Sequence, residues 1–201
     1  MTFLRAAINR LRRRLWRRVF FRTLFGEAGQ GGELLPLTRL SPTVCIEHPE
    51  GLQLADDVFI GHFCFIEAGA GVRIGRGTQV TNFVSIVSHS THRAARVAAG
   101  LSGVELDSAV IRAPIDIGER CFIGPHSTIE AGTTLGHGTL VAAHSLVRGQ
   151  FPDFAVLAGS PARVVGDTRE ADARWLDKHP ALRADYARWL ESLRSGEGLA
   201  K

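Results

Sequence analysis

The stretch IGERCFIGPHSTIEAGTTLGHGTLVAAHSLV, Ile117 to Val147, carries an aliphatic residue at every sixth position: Ile117, Ile123, Ile129, Leu135, Val141 and Val147. Four residues after each of the first five comes something small, at Cys121, Ser127, Thr133, Thr139 and Ser145, and glycine follows the aliphatic at Gly118, Gly124 and Gly136. A period of six fits neither a helix, at about 3.6 residues, nor an amphipathic strand, at about 2. It fits short strands joined by tight turns, each strand sending one aliphatic side chain inward and each turn taking a small residue or glycine. Stacked units of this kind make a parallel β-helix, whose core is a column of like side chains.

The same pattern runs earlier through Leu54, Ile60 and Ile66 and, after a two-residue slip in AGAGVR, through Ile74, Val80 and Ile86. A chance spacing in an ordinary β-sandwich does not produce six consecutive hits with a matching small-residue column, and then repeat them. Between Ile86 and Ile117 the rhythm breaks over VSHSTHRAARVAAGLSGVELDSAVIRAPID. The coils on either side still have to stack, so the segment 88–114 is expected to be extruded, and insertions of this kind often serve binding.

The 201 residues suffice for one domain with appendages, and the 22 glycines beside a single methionine suit a repeat with many turns. The net charge of +4 conceals an asymmetry, because residues 1–25 hold eight arginines and no acid, which leaves the rest of the chain at −4. Three scattered cysteines, Cys45, Cys64 and Cys121, suggest neither a disulfide framework nor a zinc ribbon. No run approaches the roughly 18 apolar residues of a membrane span, and arginines interrupt every candidate signal-peptide core. The expected location is cytoplasmic, with peripheral contact at the inner face of the cytoplasmic membrane as an option.

The repeat, followed by FPDFAVLAGSPARVV, resembles the hexapeptide-repeat acyltransferases, specifically the maltose- and galactoside-type O-acetyltransferases and those of surface-polysaccharide clusters. The resemblance covers roughly residues 42–166, and the AGSPARVV ending is its most specific part. It implies a mainly β chain built on a left-handed parallel β-helix, a homotrimer, and acetyl-CoA as acyl donor with no metal. The implied acceptor is a sugar hydroxyl, as in a bacterial surface polysaccharide or its lipid-linked precursor. An amino-sugar N-acyltransferase on the same scaffold is the nearest alternative.

Acyl transfer from a thioester to a hydroxyl needs a base for the hydroxyl proton, and histidine suits that role. In the enzymes this chain resembles, a catalytic histidine sits where the repeat gives way to the extruded segment. His89 and His92 both lie there: His89, in SH, stands three residues after Ile86, while His92, in TH, looks like the maltose-type motif. Which of the two takes the proton is left open. For coenzyme A the resemblance implies Ala142 and Ala143 as small turn residues beside the pantetheine arm, with His144 close by, and Arg148 and Arg163 as phosphate contacts. The family's lysine in a TKDVP-like stretch is replaced by RGQFP, which puts one phosphate contact in doubt.

Two other readings use the same scaffold. A gamma-type carbonic anhydrase would hold zinc through three histidines, here His62, His89 and His92, but its later pair is spaced five apart and this one three. A non-catalytic scaffold would explain the coil but neither the break nor its histidines.

Residues 1–26 read as a basic amphipathic helix, with Leu4, Ile8, Leu11 and Leu15 in one stripe and Trp16, Val19 and Phe20 extending it. It suits an anionic membrane surface or packing on protein, and no nucleic-acid motif accompanies it. From residue 167 to 201 the six-residue period is gone. Leu182, Tyr186, Trp189 and Leu193 recur at helical spacing, Pro180 separates them from a shorter helix around Trp175, and a helical cap on the open end of the coil is expected.

Overall fold

The computed structural model describes residues 2–100 and 102–195. Met1, Leu101 and residues 196–201, which belong to the N-terminal, extruded and C-terminal segments, lie outside the described residues. Residues 1–166 form one compact unit and residues 167–201 a second.

The first unit opens with helix α1 (Thr2–Phe20), whose side chains from Phe3 to Phe20 are all exposed. A short antiparallel pair follows, Glu27–Ala28 with Leu34–Leu35. From Arg39 the chain passes in rotation through three parallel sheets, laying one strand in each on every circuit. The first sheet contains Arg39–Leu40, Phe59–Ile60, Gln79–Val80, Phe122–Ile123, Leu140–Val141 and Ala155–Gly159, with Ala162–Asp167 at its edge. The second contains Cys45–Glu47, Phe65–Glu67, Ser85–Val87, Thr128–Glu130 and Leu146–Val147. The third contains Leu52–Leu54, Val72–Ile74, Ile115–Ile117, Thr134–Leu135 and Gln150–Phe151.

The strand registers turn the six-residue positions into three internal columns. Ile60, Val80, Ile123, Val141 and Leu157 are successive partners in the first sheet. Ile46, Ile66, Ile86, Ile129 and Val147 follow one another in the second, and Leu54, Ile74, Ile117, Leu135 and Phe151 in the third. Away from the ends of the columns these side chains are at most 1% exposed. Each contributes on the order of 1.5–3 kcal/mol through removal from water. The first coil strand, Arg39–Leu40, precedes residue 42, where the resemblance begins, because Leu40 pairs with Ile60 and already belongs to that column.

The small-residue column has its own cause. Ser145 Oγ donates to the Ala142 carbonyl at 2.7 Å, Thr139 Oγ1 to the Gly136 carbonyl at 2.7 Å and Thr133 Oγ1 to the Glu130 carbonyl at 2.6 Å. A short hydroxyl at this place satisfies a turn carbonyl that faces the interior, and a larger side chain would not fit beside the core column. Glycine is required where one coil's turn lies on the next. A Cβ on Gly124 would stand 2.6 Å from the Ala143 nitrogen and the Val141 oxygen.

At the corner between the first and second sheets, Phe63, Phe83, His126 and His144 occupy equivalent positions, with φ of 58°, 60°, 59° and 59°. Their rings stack outside the coil, at centroid separations of 5.1, 4.8 and 4.9 Å in turn. All four are exposed.

The extruded segment leaves the coil at the next corner, between the second and third sheets. It is an ordered excursion in which His89–Ser90 pairs antiparallel with Ile111–Arg112, and helices α2 (His92–Val97) and α3 (Val104–Ser108) lie between them. Ala94, Ala98 and Ala109 give it a small buried cluster of its own, with Val110 packed against it.

The second unit consists of α4 (Thr168–Leu176), a 3-10 turn at Pro180–Leu182 and α5 (Arg183–Ser195). Asp167 caps α4 by accepting from the Arg169 backbone N–H at 2.9 Å. Trp189 is the buried residue of α5 and contacts the Tyr186 ring at 5.8 Å.

Candidate active site

The two histidines of the break have different surroundings. His89 lies on the first strand of the extruded segment, where Nδ1–H donates to Glu67 Oε2 at 2.7 Å. Its side chain is 36% exposed, so one edge of the ring reaches solvent while the other is tied to a carboxylate that is almost fully buried. His92 is the first residue of α2, is exposed, and has Nδ1 at 2.7 Å from Ser90 Oγ.

Glu67 was not among the residues singled out from the sequence. It follows Ile66 in the second sheet, one coil before the break, and the register sets it beside Val87. Besides His89, its Oε2 accepts from Ser88 Oγ at 2.8 Å and from the Ser88 backbone N–H at 3.1 Å. Its Oε1 accepts from the Gly69 N–H at 2.8 Å, and Ser88 Oγ in turn accepts from the Ala70 N–H at 2.9 Å. Burial pushes the Glu67 carboxyl up, but the hydrogen bonds from His89, Ser88 and Gly69 outweigh it and hold the pKa below the ordinary carboxylate value. A buried carboxylate kept ionised requires the proton of a neutral His89 to sit on Nδ1. The lone pair of Nε2 then points away from Glu67, in the protonation state a general base needs.

The other candidate residues lie elsewhere on the coil. Arg148 is exposed just after Leu146–Val147, at the same corner as the extruded segment and two coils further on. Ala142, Ala143 and His144 form the turn at the neighbouring corner, where His144 ends the ring ladder. Arg163 is exposed on Ala162–Asp167, and its guanidinium donates to the Ala162 carbonyl at 2.9 Å. A single chain therefore does not gather these five residues around His89.

His62 belongs to the first corner, where Nδ1 lies 2.5 Å from Ser41 Oγ. Among the described residues no three His, Cys, Asp or Glu side chains converge where one metal ion could be held, so His62, His89 and His92 do not form a zinc site within the chain. Burial raises the thiol pKa of Cys64 and pushes that of Cys121 up to about 12, which makes both poor nucleophiles.

Residues 114–149 match the family described as bacterial transferase hexapeptide (six repeats). Over these residues the chain carries the hexapeptide repeat of that family. Similar proteins include a Mycobacterium tuberculosis protein named as a probable acetyltransferase, 28% identical over 70% of this chain and 46% of the relative. Another is WbbJ of Escherichia coli K12, named for O-acetyl transfer in lipopolysaccharide biosynthesis, which is 30% identical over 60% of this chain and 63% of its own length. The chain thus spans about 46% to 63% of the length of these two relatives. Among solved structures, a hexapeptide-repeat acetyltransferase of Vibrio cholerae O1 biovar eltor, complexed with acetyl coenzyme A, superposes with a TM-score of 0.56 at 24% identity. That match covers 64% of this chain and 66% of the other, and it establishes the shared fold.

Proposed function

We propose that this hexapeptide-repeat protein is an acetyl-CoA-dependent O-acetyltransferase that acylates a sugar hydroxyl, with His89 as general base. The observation that carries this reading is the His89 Nδ1 to Glu67 Oε2 hydrogen bond of 2.7 Å at the mouth of the extruded segment. His92 lacks a carboxylate of this kind, since its Nδ1 partner is the Ser90 hydroxyl. The names of the relatives support acetyl transfer, and WbbJ supports a surface saccharide or its lipid-linked precursor as acceptor.

Acetyl-CoA supplies the thioester whose carbonyl carbon the acceptor oxygen attacks, and it leaves as the thiol. His89 Nε2 takes the hydroxyl proton as the new C–O bond forms. It then returns that proton to the departing sulfur, so that base and acid are one group. Glu67 holds the ring in the Nδ1–H tautomer and stabilises the imidazolium while the proton resides there. Positioned general-base catalysis of this kind contributes about 10²–10⁴ in rate.

In this reading the coil is left-handed and three chains assemble, which gives a use to the exposed rings of Phe63, Phe83, His126 and His144 as surface for a neighbouring subunit. The methyl side chains of Ala142 and Ala143 leave their turn open to a pantetheine arm, while Arg148 and Arg163 present exposed cations for phosphates. A groove between subunits would reunite residues that one chain keeps apart.

The test is thermal shift with acetyl-CoA and CoA, followed by a saccharide screen that reads thiol release. A ligand that binds the folded state alone at about 100 times its Kd stabilises by about 2.7 kcal/mol, a clear displacement of Tm. No shift with either nucleotide sinks the transferase reading and favours a scaffold. Thiol release that survives intact in His89→Ala sinks the assignment of the base.

A further inference from the structure

The arginine-rich helix is not used by the proposed chemistry. Its exposed side chains divide into two faces. Leu4, Ile8, Leu11, Leu15 and Val19 recur at spacings of three and four and form one aliphatic stripe, each at least 47% exposed. Arg10, Arg13, Arg14 and Arg17 lie on the opposite side, and Arg5, Arg12 and Arg18 flank the stripe. None of these arginines pairs with a carboxylate among the described residues. Beyond the helix the apolar surface continues through Phe21, Leu24 and Phe25, all exposed.

This surface is fixed to the coil at its root. The Phe21 ring lies 5.2 Å from His62 and 5.8 Å from Phe63. The Arg39 guanidinium sits between Phe25, at 4.9 Å, and Phe59, at 5.1 Å, and the Gly26 N–H donates to the Thr38 carbonyl at 3.1 Å. The helix therefore leaves the corner between the first and second sheets, while His89 occupies the corner between the second and third. Both flank the second sheet.

We infer that α1 and residues 21–25 are a docking surface for an anionic lipid bilayer, lying in the interface with the aliphatic stripe toward the acyl chains and the arginines among headgroup phosphates. Charge decides between occupants. Eight arginines without one acid repel a second copy of the same helix but complement phosphate. A nucleic acid would match the arginines and leave five aliphatic side chains in water, whereas a bilayer satisfies both faces. No described helix is long and apolar enough to cross a membrane, so the contact is peripheral. The inference does not depend on the transferase reading, because lipid binding is measured without turnover.

The full chain is mixed with vesicles of phosphatidylcholine alone or with about 30% phosphatidylglycerol, and sedimentation and Trp16 emission are recorded, with Trp16→Phe as background for the other two tryptophans. Binding at least about tenfold stronger to the anionic vesicles, a blue shift of Trp16 and loss of binding at high salt are expected. The double variant Leu11→Gln/Leu15→Gln keeps every arginine and should lose about tenfold or more in vesicle binding, while heparin binding and the acetyl-CoA thermal shift stay unchanged. Equal partition to both vesicles, or none, overturns the inference. So does a double variant that binds vesicles as the wild type does, which would mean arginine adsorption alone, or one that changes the oligomeric state, which would assign the stripe to a second copy.

Discussion

Replacing Glu67 by glutamine changes charge and hydrogen bonding with almost no change in shape. The carboxylate accepts four hydrogen bonds: three at Oε2, from His89 Nδ1, Ser88 Oγ and the Ser88 N–H, and one at Oε1, from the Gly69 N–H. Glutamine brings one acceptor oxygen to these four donors. If that oxygen takes the Oε2 place, the amide NH2 faces the Gly69 N–H, donor against donor, and the site loses about 1–3 kcal/mol of stability. The His89 tautomer then survives, but the imidazolium formed during catalysis loses a charged partner worth about 1.5–3 kcal/mol, which is roughly 10- to 100-fold in rate. If the amide is reversed, its NH2 faces His89, Nδ1 must become the acceptor, and the proton moves to the nitrogen that should act as base. A wrong tautomer of this kind cost about 10⁴ in the serine-protease triad.

The expected fall in kcat is therefore about 10- to 10⁴-fold, larger than any change in KM. Two assays separate this from general damage. Thiol release from acetyl-CoA, with an acceptor found by screening, gives kcat and KM, and circular dichroism shows that the coil is intact. Nitrogen NMR of the labelled imidazoles reports which nitrogen of His89 carries the proton. Because the two residues act as a unit, the double variant Glu67→Gln/His89→Ala should be no slower than His89→Ala alone. A Glu67→Gln protein with wild-type kcat across the pH range, or with the His89 tautomer unchanged and no loss of rate, refutes the reasoning.

The same carboxylate predicts a pH dependence of stability. Its folded pKa lies below the ordinary 4.5, so it stabilises the fold above about pH 4.5 and that contribution disappears as pH falls through the folded value. The Tm gap between wild type and Glu67→Gln should accordingly close in acid, as a calorimetric pH series would show. Gly124→Val places a branched side chain where a Cβ already meets the next turn at 2.6 Å, and a loss of roughly 3 kcal/mol or more is expected in urea unfolding. Ile129→Ala, in the middle of the second column and fully buried, should lose about 2–5 kcal/mol by the same measurement. Asp167→Ala removes the α4 cap, and hydrogen exchange over residues 168–176 should accelerate in proportion to about 1 kcal/mol.

The core was legible because each column repeats a side-chain type at fixed spacing, and a core position betrays itself by what it excludes. The extruded segment was legible only as a break. Its helices, six and five residues long, are too short to establish a period, and their apolar content is a few alanines held by local packing. The ring ladder is not legible from spacing, because the stacking of Phe83 on His126 and of His126 on His144 needs the register between coils. Glu67 was missed for the same reason. It is distant from His89 in sequence, and a lone glutamate after a core isoleucine reads as a solvated strand edge. The signal was present in the twenty-residue offset that puts Ile66 over Ile86, because the same offset puts Glu67 over Val87, one step from Ser88.

That offset contains the two-residue slip in AGAGVR. From Ile129 to Leu135 the step from the second column to the third is six residues, whereas from Ile46 to Leu54 and from Ile66 to Ile74 it is eight. The two additional residues fall at the corner from which, one coil later, the whole segment 88–114 is extruded. They are not idle there. The widened turn brings the Gly69 N–H onto Glu67 Oε1, one of the bonds that hold the buried carboxylate ionised, and the Ala70 N–H onto the Ser88 Oγ that itself donates to Glu67. A six-residue step would delete part of the turn that supplies these donors. The irregularity in the repeat and the histidine at its break thus meet at one place: the widened turn supplies a donor to Glu67, and the extruded segment carries His89, the proposed base, beside it.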